Sequence, residues 1–390
     1  MDTLLINYMH SQLDMVDNRF HRYLYNQLNW QSRMIGIVGP RGIGKTTMLL
    51  QYIKEHIDNE RCLYVSLDNM YFSSHSLVEL ADDFVIDGGE HLFIDEIHKY
   101  DNWSRELKQI YDTHPDLKVL FTGSSILDIY RGAADLSRRA PIFYLQGLSF
   151  REYLHLREGI TAPVYSLEEI LSLKVQLPSI KHPLAFFRQY LRDGYYPFGD
   201  DNNFFIEIRQ IINQTMEVDI PTYANMNAST GRKLKQLLAI VAESVPFKPV
   251  MQNLASLLSI SRNNVADYLM YIEKAGMISQ VRDSTGGIRG LGKVEKIYLD
   301  NTNIIYSLVG EKADLGNLRE TFFFNQMRVN NDVIVSKVSD FEIGSMTFEI
   351  GGKSKKQRQV ATVDKGYVVK DDIEYGTGNV IPLWHFGFNY

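Results

Sequence analysis

The sequence predicts an α/β fold, with a parallel five-stranded core sheet in the first 150 residues, followed by a helical region and a small α+β domain. Three observations support this prediction. Short apolar runs alternate with helical patterns up to about residue 150, which is typical of a parallel sheet. A glycine-rich turn joins the first of these runs to a helical pattern. Helical periodicity then dominates, and short strand patterns return only after Asp283.

Composition indicates an ordinary globular protein. At 390 residues the chain is long enough for about two to four domains of roughly 100–200 residues. Hydrophobic residues make up 45% and charged residues 23%. The formal net charge is −6, so any nucleic-acid site has to be a local basic patch. The single cysteine, Cys62, excludes a disulfide framework and a zinc site built from cysteines.

The sequence also predicts a cytoplasmic protein without a membrane partner. Residues 1–20 contain acids and no long apolar core, so they do not have the pattern of a signal peptide. No run approaches about 18 uninterrupted apolar residues, the length expected of a transmembrane helix. A single cysteine fits a reducing compartment.

The first predicted domain, residues 1–150, contains the alternating pattern. Strands are predicted at about 34–38, 62–67, 91–95, 117–122 and 141–146. Helices are predicted near 45–57, 104–113 and 124–131.

The glycine-rich turn from Gly39 to Thr46, GPRGIGKT, fits the phosphate-loop pattern GxxxxGK[ST] at every fixed position. Its glycines let the backbone wrap closely and point N–H groups inward, and the following helix adds its positive N-terminal end. Lys45 would supply a charge to the β- and γ-phosphates, and the Thr46 hydroxyl would ligate Mg²⁺. The predicted nucleotide-binding residues are Gly39, Pro40, Arg41, Gly42, Ile43, Gly44, Lys45, Thr46 and Thr47.

The second part of such a site is an apolar strand that ends in acids, and the run from His91 to Glu96 supplies it. Asp95 would hold Mg²⁺ through its water shell, and Glu96 would polarise the attacking water as a general base. An Asp-Glu pair alone would more often be a solvated strand end. Its place about fifty residues after the phosphate loop favours a functional acidic pair, and the adjacent Glu96 favours hydrolysis over nucleotide storage.

Two further features follow along the chain. The strand LKVLFTGSS ends in Thr122, Gly123, Ser124 and Ser125, a position that suits a polar sensor of the γ-phosphate or the attacking water. Ser124 and Ser125 fit equally well as the N-cap of the next helix. Arg138 and Arg139 lie just before the fifth strand. A guanidinium there would stabilise charge on the transferred phosphoryl group, in cis or from a neighbouring subunit, and a surface arginine pair is the alternative.

In this order, the segments GPRGIGKTT, LFIDEIH, LFTGSS, LSRRAPIFYLQGLSFREYL and DGYYPF resemble a prokaryotic group of AAA+-superfamily ATPases. In that group a P-loop ATPase core is followed by a winged helix and a C-terminal domain of uncharacterised function. The resemblance covers most of the chain and is strongest from Gly36 to Tyr153. It implies a fold in which the strand with the acids is not adjacent to the strand before the phosphate loop.

The resemblance also implies roles for individual residues. The implied phosphate and Mg²⁺ contacts, acidic pair and sensor are Lys45, Thr46, Asp95, Glu96 and Ser124. The family usually has Leu-small-Gly-Arg at residues 136–139, so Arg139 matches the family arginine and Arg138 replaces the glycine. The sequence contains no Asn-Lys-x-Asp element, which GTPases use to read guanine, and this favours ATP.

The rest of the chain is predicted to form a helical linker or lid at 151–245, a winged helix at 246–298 and a nuclease-like domain at 299–390. In the winged helix, Ser261 is the predicted N-cap of the second helix. The candidate DNA-reading residues are Arg262, Asn263, Asn264 and Asp267. One cation on this face neutralises little DNA phosphate. A winged helix that contacts protein or packs between domains is therefore as well supported as one that binds DNA.

For the last domain, the resemblance implies a PD-(D/E)xK-like fold, in which a helical Glu, an Asp and a Glu-x-Lys strand bind Mg²⁺ for phosphodiester hydrolysis. The candidates are Glu320, Asp340, Glu349 and Lys353. Residues two apart on a strand share a face, but Lys353 lies four residues after Glu349. The sequence therefore favours a degenerate nuclease domain over an active one.

These features predict an ATP-binding hydrolase that uses ATP and Mg²⁺ as a switch or motor for a protein partner or DNA, and that is compatible with a homo-oligomer. Two alternatives stay open: an ATP-coupled DNA-processing nuclease, and a nucleotide-gated signalling scaffold that does not hydrolyse ATP.

Overall fold

The computed structural model describes residues 2–123, 136, 138–177, 180–243, 248–283, 294–356 and 359–390. The chain divides into two units, Met1–Gln146 and Gly147–Tyr390, and each unit has its own apolar core. Within the described ranges, no helix is long and apolar enough to cross a membrane.

The first unit is built on a parallel sheet. Its strands are β1 Met34–Val38, β2 Cys62–Ser66, β3 His91–Asp95, β4 Lys118–Gly123 and β5 Ile142–Tyr144. Its described helices are α1 Thr3–Met15, α2 Lys45–His56, α3 Leu77–Ile86 and α4 Trp103–Thr113. The five predicted strands and the helices predicted at 45–57 and 104–113 are confirmed, and the helix predicted at 124–131 lies outside the described residues.

The strand order in this sheet is β2-β3-β4-β1-β5, and all four pairings are parallel. Strand β4 therefore separates β1 from β3, as the family resemblance implied. Because all strands run in one direction, β1 and β3 end at the same edge of the sheet. This places the turn after Val38 at the same edge as Asp95 and Glu96.

The second unit combines helices with a hairpin and a mixed sheet. Its described helices are α5 Phe150–Glu158, α6 Leu167–Leu171, α7 Pro183–Gln189, α8 Phe204–Gln214, α9 Ile220–Tyr223, α10 Ala228–Glu243, α11 Met251–Leu258, α12 Arg262–Lys274, α13 Thr302–Val309 and α14 Leu315–Met327. Its described strands are β6 Ile278–Arg282, β7 Val294–Leu299, β8 Val333–Val335, β9 Phe341–Ile343, β10 Met346–Gly351, β11 Gly366–Lys370 and β12 Val380–Pro382.

Strands β6 and β7 pair antiparallel, and the other five form a sheet in the order β12-β11-β10-β9-β8. Its pairings are antiparallel from β8 to β10 and parallel from β10 to β12. The apolar run VIPLWHF at residues 380–386 predicts a strand, but β12 ends at Pro382 and a 3₁₀ helix, Leu383–Phe388, follows. Proline cannot donate to a strand ladder, and the apolar residues after it are buried in the helix instead.

One aromatic core joins the start of the second unit to its C-terminal sheet. The ring of Phe150 is 5.4 Å from that of Phe187 and 5.7 Å from that of Phe388, and Phe187 is 4.8 Å from Phe322 in α14, measured between centroids. All four rings are almost completely buried. The structure therefore places residues predicted as a linker or lid in the same folded unit as the C-terminal sheet.

The DGYYPF segment, Asp193–Phe198, begins within a π-helical turn, Tyr190–Gly194, that a buried amide stabilises. The side chain of Asn303 accepts from the Tyr195 N–H at 2.8 Å and donates to the carbonyl oxygens of Tyr190 and Leu191 at 3.3 and 3.1 Å. A π-helical turn shifts carbonyls away from their regular helical partners, and this amide pairs two of them. The segment therefore has a structural role in the second unit.

Asp193 in this turn makes the stability of the second unit depend on pH. Burial raises the pKa of its carboxyl from 3.8 to about 6, in spite of the attraction of Arg192 and Arg157. Because the folded-state pKa is the higher one, the contribution of this carboxyl to stability is complete below about pH 4 and is lost as the pH rises through 6.

We expect Asp193→Asn to raise the midpoint of thermal unfolding by about 2–4 °C at pH 7, equivalent to about 1 kcal/mol, because the amide is neutral at every pH. Near pH 4 the variant and the wild type should unfold at the same temperature. Calorimetry at both pH values measures this difference, and a shift of equal size at pH 4 and pH 7 would contradict the assignment.

Candidate functional site

The turn between β1 and α2 has the backbone shape of a phosphate-binding loop. Gly42 and Gly44 have φ angles of 76° and 91°, in the region where side chains are strained. A Cβ at Gly39 would lie 2.4 Å from the carbonyl oxygen of Leu145. The first N–H groups of α2 have no intrahelical acceptors and lie at the positive end of the helix dipole. The turn therefore suits the oxygens of a phosphate chain.

Lys45 extends across this loop from the first turn of α2. Its Nζ donates to the carbonyl oxygens of Gly39 and Pro40 at 2.9 and 2.7 Å, and the residue is 5% exposed. Burial lowers the pKa of this ammonium to about 8, although Glu96 and Asp95 oppose the shift. A bound anion favours the charged form of a lysine, so a polyphosphate fits this position.

Asp95 is the centre of a buried hydroxyl cluster. Its Oδ2 accepts from the hydroxyls of Thr46 and Tyr64 at 2.7 and 2.9 Å, and its Oδ1 accepts from Thr122. In proteins Mg²⁺ uses one or two carboxylates together with substrate phosphates and waters. The carboxylate of Asp95 beside the Thr46 hydroxyl fits this donor set. Across the described residues, no group of three His, Cys, Asp or Glu is placed to hold a metal ion.

Glu96 directly follows β3 in a left-handed conformation, with φ 51° and ψ 42°. This conformation costs a non-glycine residue about 1–2 kcal/mol, and such strain often occurs at functional sites. Its Oε2 lies 3.4 Å from Nε2 of His98. Burial, reinforced by Arg41, lowers the pKa of His98 to about 3, so the imidazole beside Glu96 is neutral at pH 7.

Thr122 belongs to the predicted sensor segment, but no sequence pattern predicts that Tyr64 contacts Asp95. Tyr64 lies within the apolar run of β2, where the pattern predicts only a core residue. The parallel pairing of β2 with β3 aligns Ser66 with Asp95 and brings the Tyr64 hydroxyl, two residues earlier, to the carboxylate. The one available signal for Tyr64 was a hydroxyl group within a buried strand, and this signal does not show which strand carries its hydrogen-bond partner.

We expect Tyr64→Phe to raise the Mg²⁺ concentration that gives half-maximal ATP hydrolysis by about tenfold. The carboxylate of Asp95 loses a donor that orients it, and a hydrogen bond to a charged group contributes about 1.5–3 kcal/mol. Titrating phosphate release with Mg²⁺ measures the effect, and nucleotide affinity in EDTA should not change. Tyr52→Phe is the matched control, since its hydroxyl contacts Gln31 instead. An unchanged Mg²⁺ dependence in Tyr64→Phe would remove this positioning role.

Ser124 lies outside the described residues, so its role as a sensor stays a prediction. Arg138 is exposed. Arg139 donates from Nε and Nη2 to the two carboxylate oxygens of Asp112, at 3.0 Å each.

The salt bridge between Arg139 and Asp112 lies at the edge where the parallel strands begin. Arg139 precedes β5, and Asp112 lies at the end of α4, shortly before β4. The phosphate loop lies at the opposite edge, and a five-residue strand spans about 16 Å. The prediction that Arg139 contacts the transferred phosphoryl group in cis is therefore wrong, because its side chain lies too far from the phosphate loop of its own chain. A role from a neighbouring copy stays a prediction.

The nuclease-like residues of the second unit have partners that differ from those the sequence predicts. Lys296 in β7 has its Nζ 3.1 Å from Glu320 and 3.5 Å from Asp340, while Lys355 has its Nζ 3.3 Å from Glu349. Lys353 is exposed.

The lysine that pairs with Glu349 is therefore Lys355 and not the candidate Lys353. The physical reason is Gly351, since a Cβ there would lie 2.6 Å from the side chain of Lys355. The glycine leaves room for the stem of Lys355 to cross β10.

Helices α11 and α12 and the hairpin β6–β7 occupy the predicted winged-helix segment. Ser261 caps α12 as predicted, with its side chain accepting from the Asn264 N–H. The four candidate DNA-reading residues are all exposed: Arg262, Asn263, Asn264 and Asp267.

Comparison with known proteins agrees with the geometry of the first unit. Residues 31–154 match an AAA domain family, and residues 185–315 match a domain of unknown function, DUF8612. The first unit has the P-loop NTPase fold. The phosphate loop at the end of β1, the acids at the end of β3 and the strand order between them place the site where this P-loop NTPase fold binds its nucleotide.

Two uncharacterized proteins of Methanocaldococcus jannaschii are similar to the chain. One is 27% identical over 290 residues, or 69% of this chain and 60% of the relative, so the chain spans less than two thirds of that protein. The other is 24% identical over 346 residues, or 83% of this chain and 73% of the relative. Among solved structures, the match to the Walker-type ATPase PABY2304 of Pyrococcus abyssi has 12% identity and a TM-score of 0.48, and covers 76% of this chain and 99% of that one.

Proposed function

We propose that the protein binds ATP and hydrolyses it with Mg²⁺ in the P-loop NTPase unit. The observation that supports this most is that the side chains for phosphate binding, metal binding and catalysis lie at one edge of the sheet. Lys45 extends across the phosphate loop, the Thr46 hydroxyl donates to Asp95, and Glu96 follows Asp95 directly. The first two serve nucleotide and metal binding, and Glu96 adds the base that hydrolysis needs.

Each residue has a separate task in this proposal. Lys45 and the loop N–H groups hold the β- and γ-phosphates, and Thr46 and Asp95 hold the metal ion. When bound, Mg²⁺ neutralises charge on the phosphate oxygens. Glu96 orients the attacking water and accepts its proton. The His98 beside it is neutral, so it does not form an ion pair with the Glu96 carboxylate.

We propose ATP as the nucleotide because the sequence lacks the Asn-Lys-x-Asp element that reads guanine. Calorimetric titration with ATP, ADP and GTP tests this. We expect ATP and ADP to bind at least about tenfold more tightly than GTP, a difference of about 1.4 kcal/mol. Equal affinity for GTP would contradict the choice of base, and no affinity for any nucleotide would contradict the proposed function.

We propose that the hydrolysis serves a switch or motor for a partner that binds the second unit, with residues 246–298 as a winged helix. The exposed face of α12 presents the cation Arg262 and the anion Asp267, so it neutralises little phosphate. This charge pattern fits a protein partner better than the backbone of DNA. Phosphate release measured with and without duplex DNA separates the two, because stimulation by DNA would favour the DNA partner.

We propose that the protein forms a homo-oligomer, and the position of Arg139 is the observation that supports this. This side chain lies at the sheet edge opposite the phosphate loop, so any contact with a γ-phosphate requires a second copy. Light scattering with and without ATP measures the oligomeric state, and Arg139→Ala should slow hydrolysis only if that contact forms.

A further inference from the structure

A buried lysine lies between two carboxylates that the sequence assigns to a nuclease-like metal site. Lys296 is 6% exposed, and its Nζ is 3.1 Å from Oε2 of Glu320 and 3.5 Å from Oδ1 of Asp340. Tyr298, two residues along β7 and so on the same face, donates to the same oxygen of Glu320 at 2.5 Å. The Lys296 ammonium also lies 5.3 Å from the centroid of the Phe341 ring. The cluster joins β7, α14 and the start of β9.

Two further carboxylate oxygens near this cluster also have protein partners. Oδ2 of Asp340 accepts from the Ile350 N–H at 2.8 Å, and Oε1 of Glu349 pairs with Lys355 at 3.3 Å. Oε2 of Glu349 is buried without a hydrogen-bond partner. A divalent cation needs several oxygens directed at one point, and the Lys296 ammonium already lies between the two carboxylates that would supply them. The residues present therefore do not fit the Mg²⁺ of a nuclease.

We propose that the Lys296 ammonium is a built-in substitute for the divalent cation, so that the second unit folds without metal and does not bind one between Glu320 and Asp340. Two ionised carboxylates that lie largely buried side by side are destabilised by desolvation and mutual repulsion unless a cation compensates them. In a metal-dependent site the ion removes this penalty, and here a covalently attached ammonium does so.

The substitute comes from outside the segment that carries the nuclease pattern. Lys296 lies in the hairpin strand β7, whereas Glu320, Asp340 and Glu349 follow it in α14, before β9 and in β10. The same ion pairs connect the hairpin to the mixed sheet. Replacing the lysine with a neutral residue of similar length, Lys296→Met, should therefore recreate a site that a divalent cation can occupy.

Mn²⁺ titration of the full chain tests this proposal without relying on activity. Every protein carries Asp95→Asn and is kept free of nucleotide, which removes the other metal site. With Lys296 present, we expect no Mn²⁺ bound at the cluster by electron paramagnetic resonance. Lys296→Met should bind one Mn²⁺ and gain about 5–10 °C in thermal midpoint when Mn²⁺ is about 100 times its Kd. Adding Asp340→Asn to Lys296→Met should abolish both effects.

Two results would overturn the proposal: a Mn²⁺ site in the protein with Lys296 that Asp340→Asn removes, or a folded Lys296→Met protein that gains neither Mn²⁺ binding nor thermal stability. If Lys296→Met does not fold, the double variant Lys296→Met/Glu320→Gln tests the proposal instead, since it has one carboxylate fewer at the cluster than Lys296→Met. Folding of that pair without metal supports charge compensation by Lys296, and failure of the pair to fold overturns it.

Discussion

Replacing Glu96 with glutamine should slow ATP hydrolysis by at least about 100-fold while ATP stays bound. A general base contributes roughly 100- to 10,000-fold to a reaction of this kind, and an amide of the same size cannot accept the proton of the attacking water. The hydrogen bonds of the binding groups Lys45 and Thr46 go to the loop carbonyls and to Asp95.

Phosphate release and binding of a fluorescent ATP analogue, measured on the same preparations, separate chemistry from affinity for Glu96→Gln. Glu90→Gln is the matched control, since Glu90 lies just before the other end of β3 and pairs with Arg61. We expect this control to keep the wild-type rate. Equal rates of phosphate release in Glu96→Gln and the wild type would exclude Glu96 as the base.

Lys45→Ala should lower the affinity for ATP by at least about 100-fold, a change of about 2.7 kcal/mol. The variant removes a buried charge next to the phosphates and also two hydrogen bonds that hold the carbonyls of Gly39 and Pro40. The loss therefore combines a missing charge with a loosened loop.

Lys54→Ala controls for the loss of a lysine from α2, because Lys54 is exposed and donates to the carbonyl of Val16 instead. Both variants should keep the thermal midpoint of the wild type within a few degrees. Isothermal titration with ATP gives the affinities, and wild-type affinity in Lys45→Ala would refute the phosphate assignment.

The parts of the site that the sequence could predict are local in the chain. The phosphate loop, the helix after it and the acids at the end of β3 each have a pattern within about ten residues, where spacing alone decides the backbone shape. In the structure Lys45 donates to the carbonyl of Gly39, and the Thr46 hydroxyl donates to Asp95.

The parts that the sequence could not predict depend on which strands and helices become neighbours. Tyr64 reaches Asp95 only because β2 pairs with β3, and Arg139 is separated from the phosphate loop only because β5 begins at the opposite edge. Lys296 pairs with Glu320, for which the pattern predicts Mg²⁺ as the partner. Lys355 pairs with Glu349, for which the pattern offers Lys353. These contacts come from tertiary packing and have no fixed spacing along the chain.

We propose that this chain hydrolyses ATP with Mg²⁺, and phosphate release by the full chain tests this claim most directly. With ATP and Mg²⁺ we expect steady release of phosphate that stops when EDTA is added. Tight retention of ATP with no release above the buffer rate would contradict the claim and favour a nucleotide-gated scaffold.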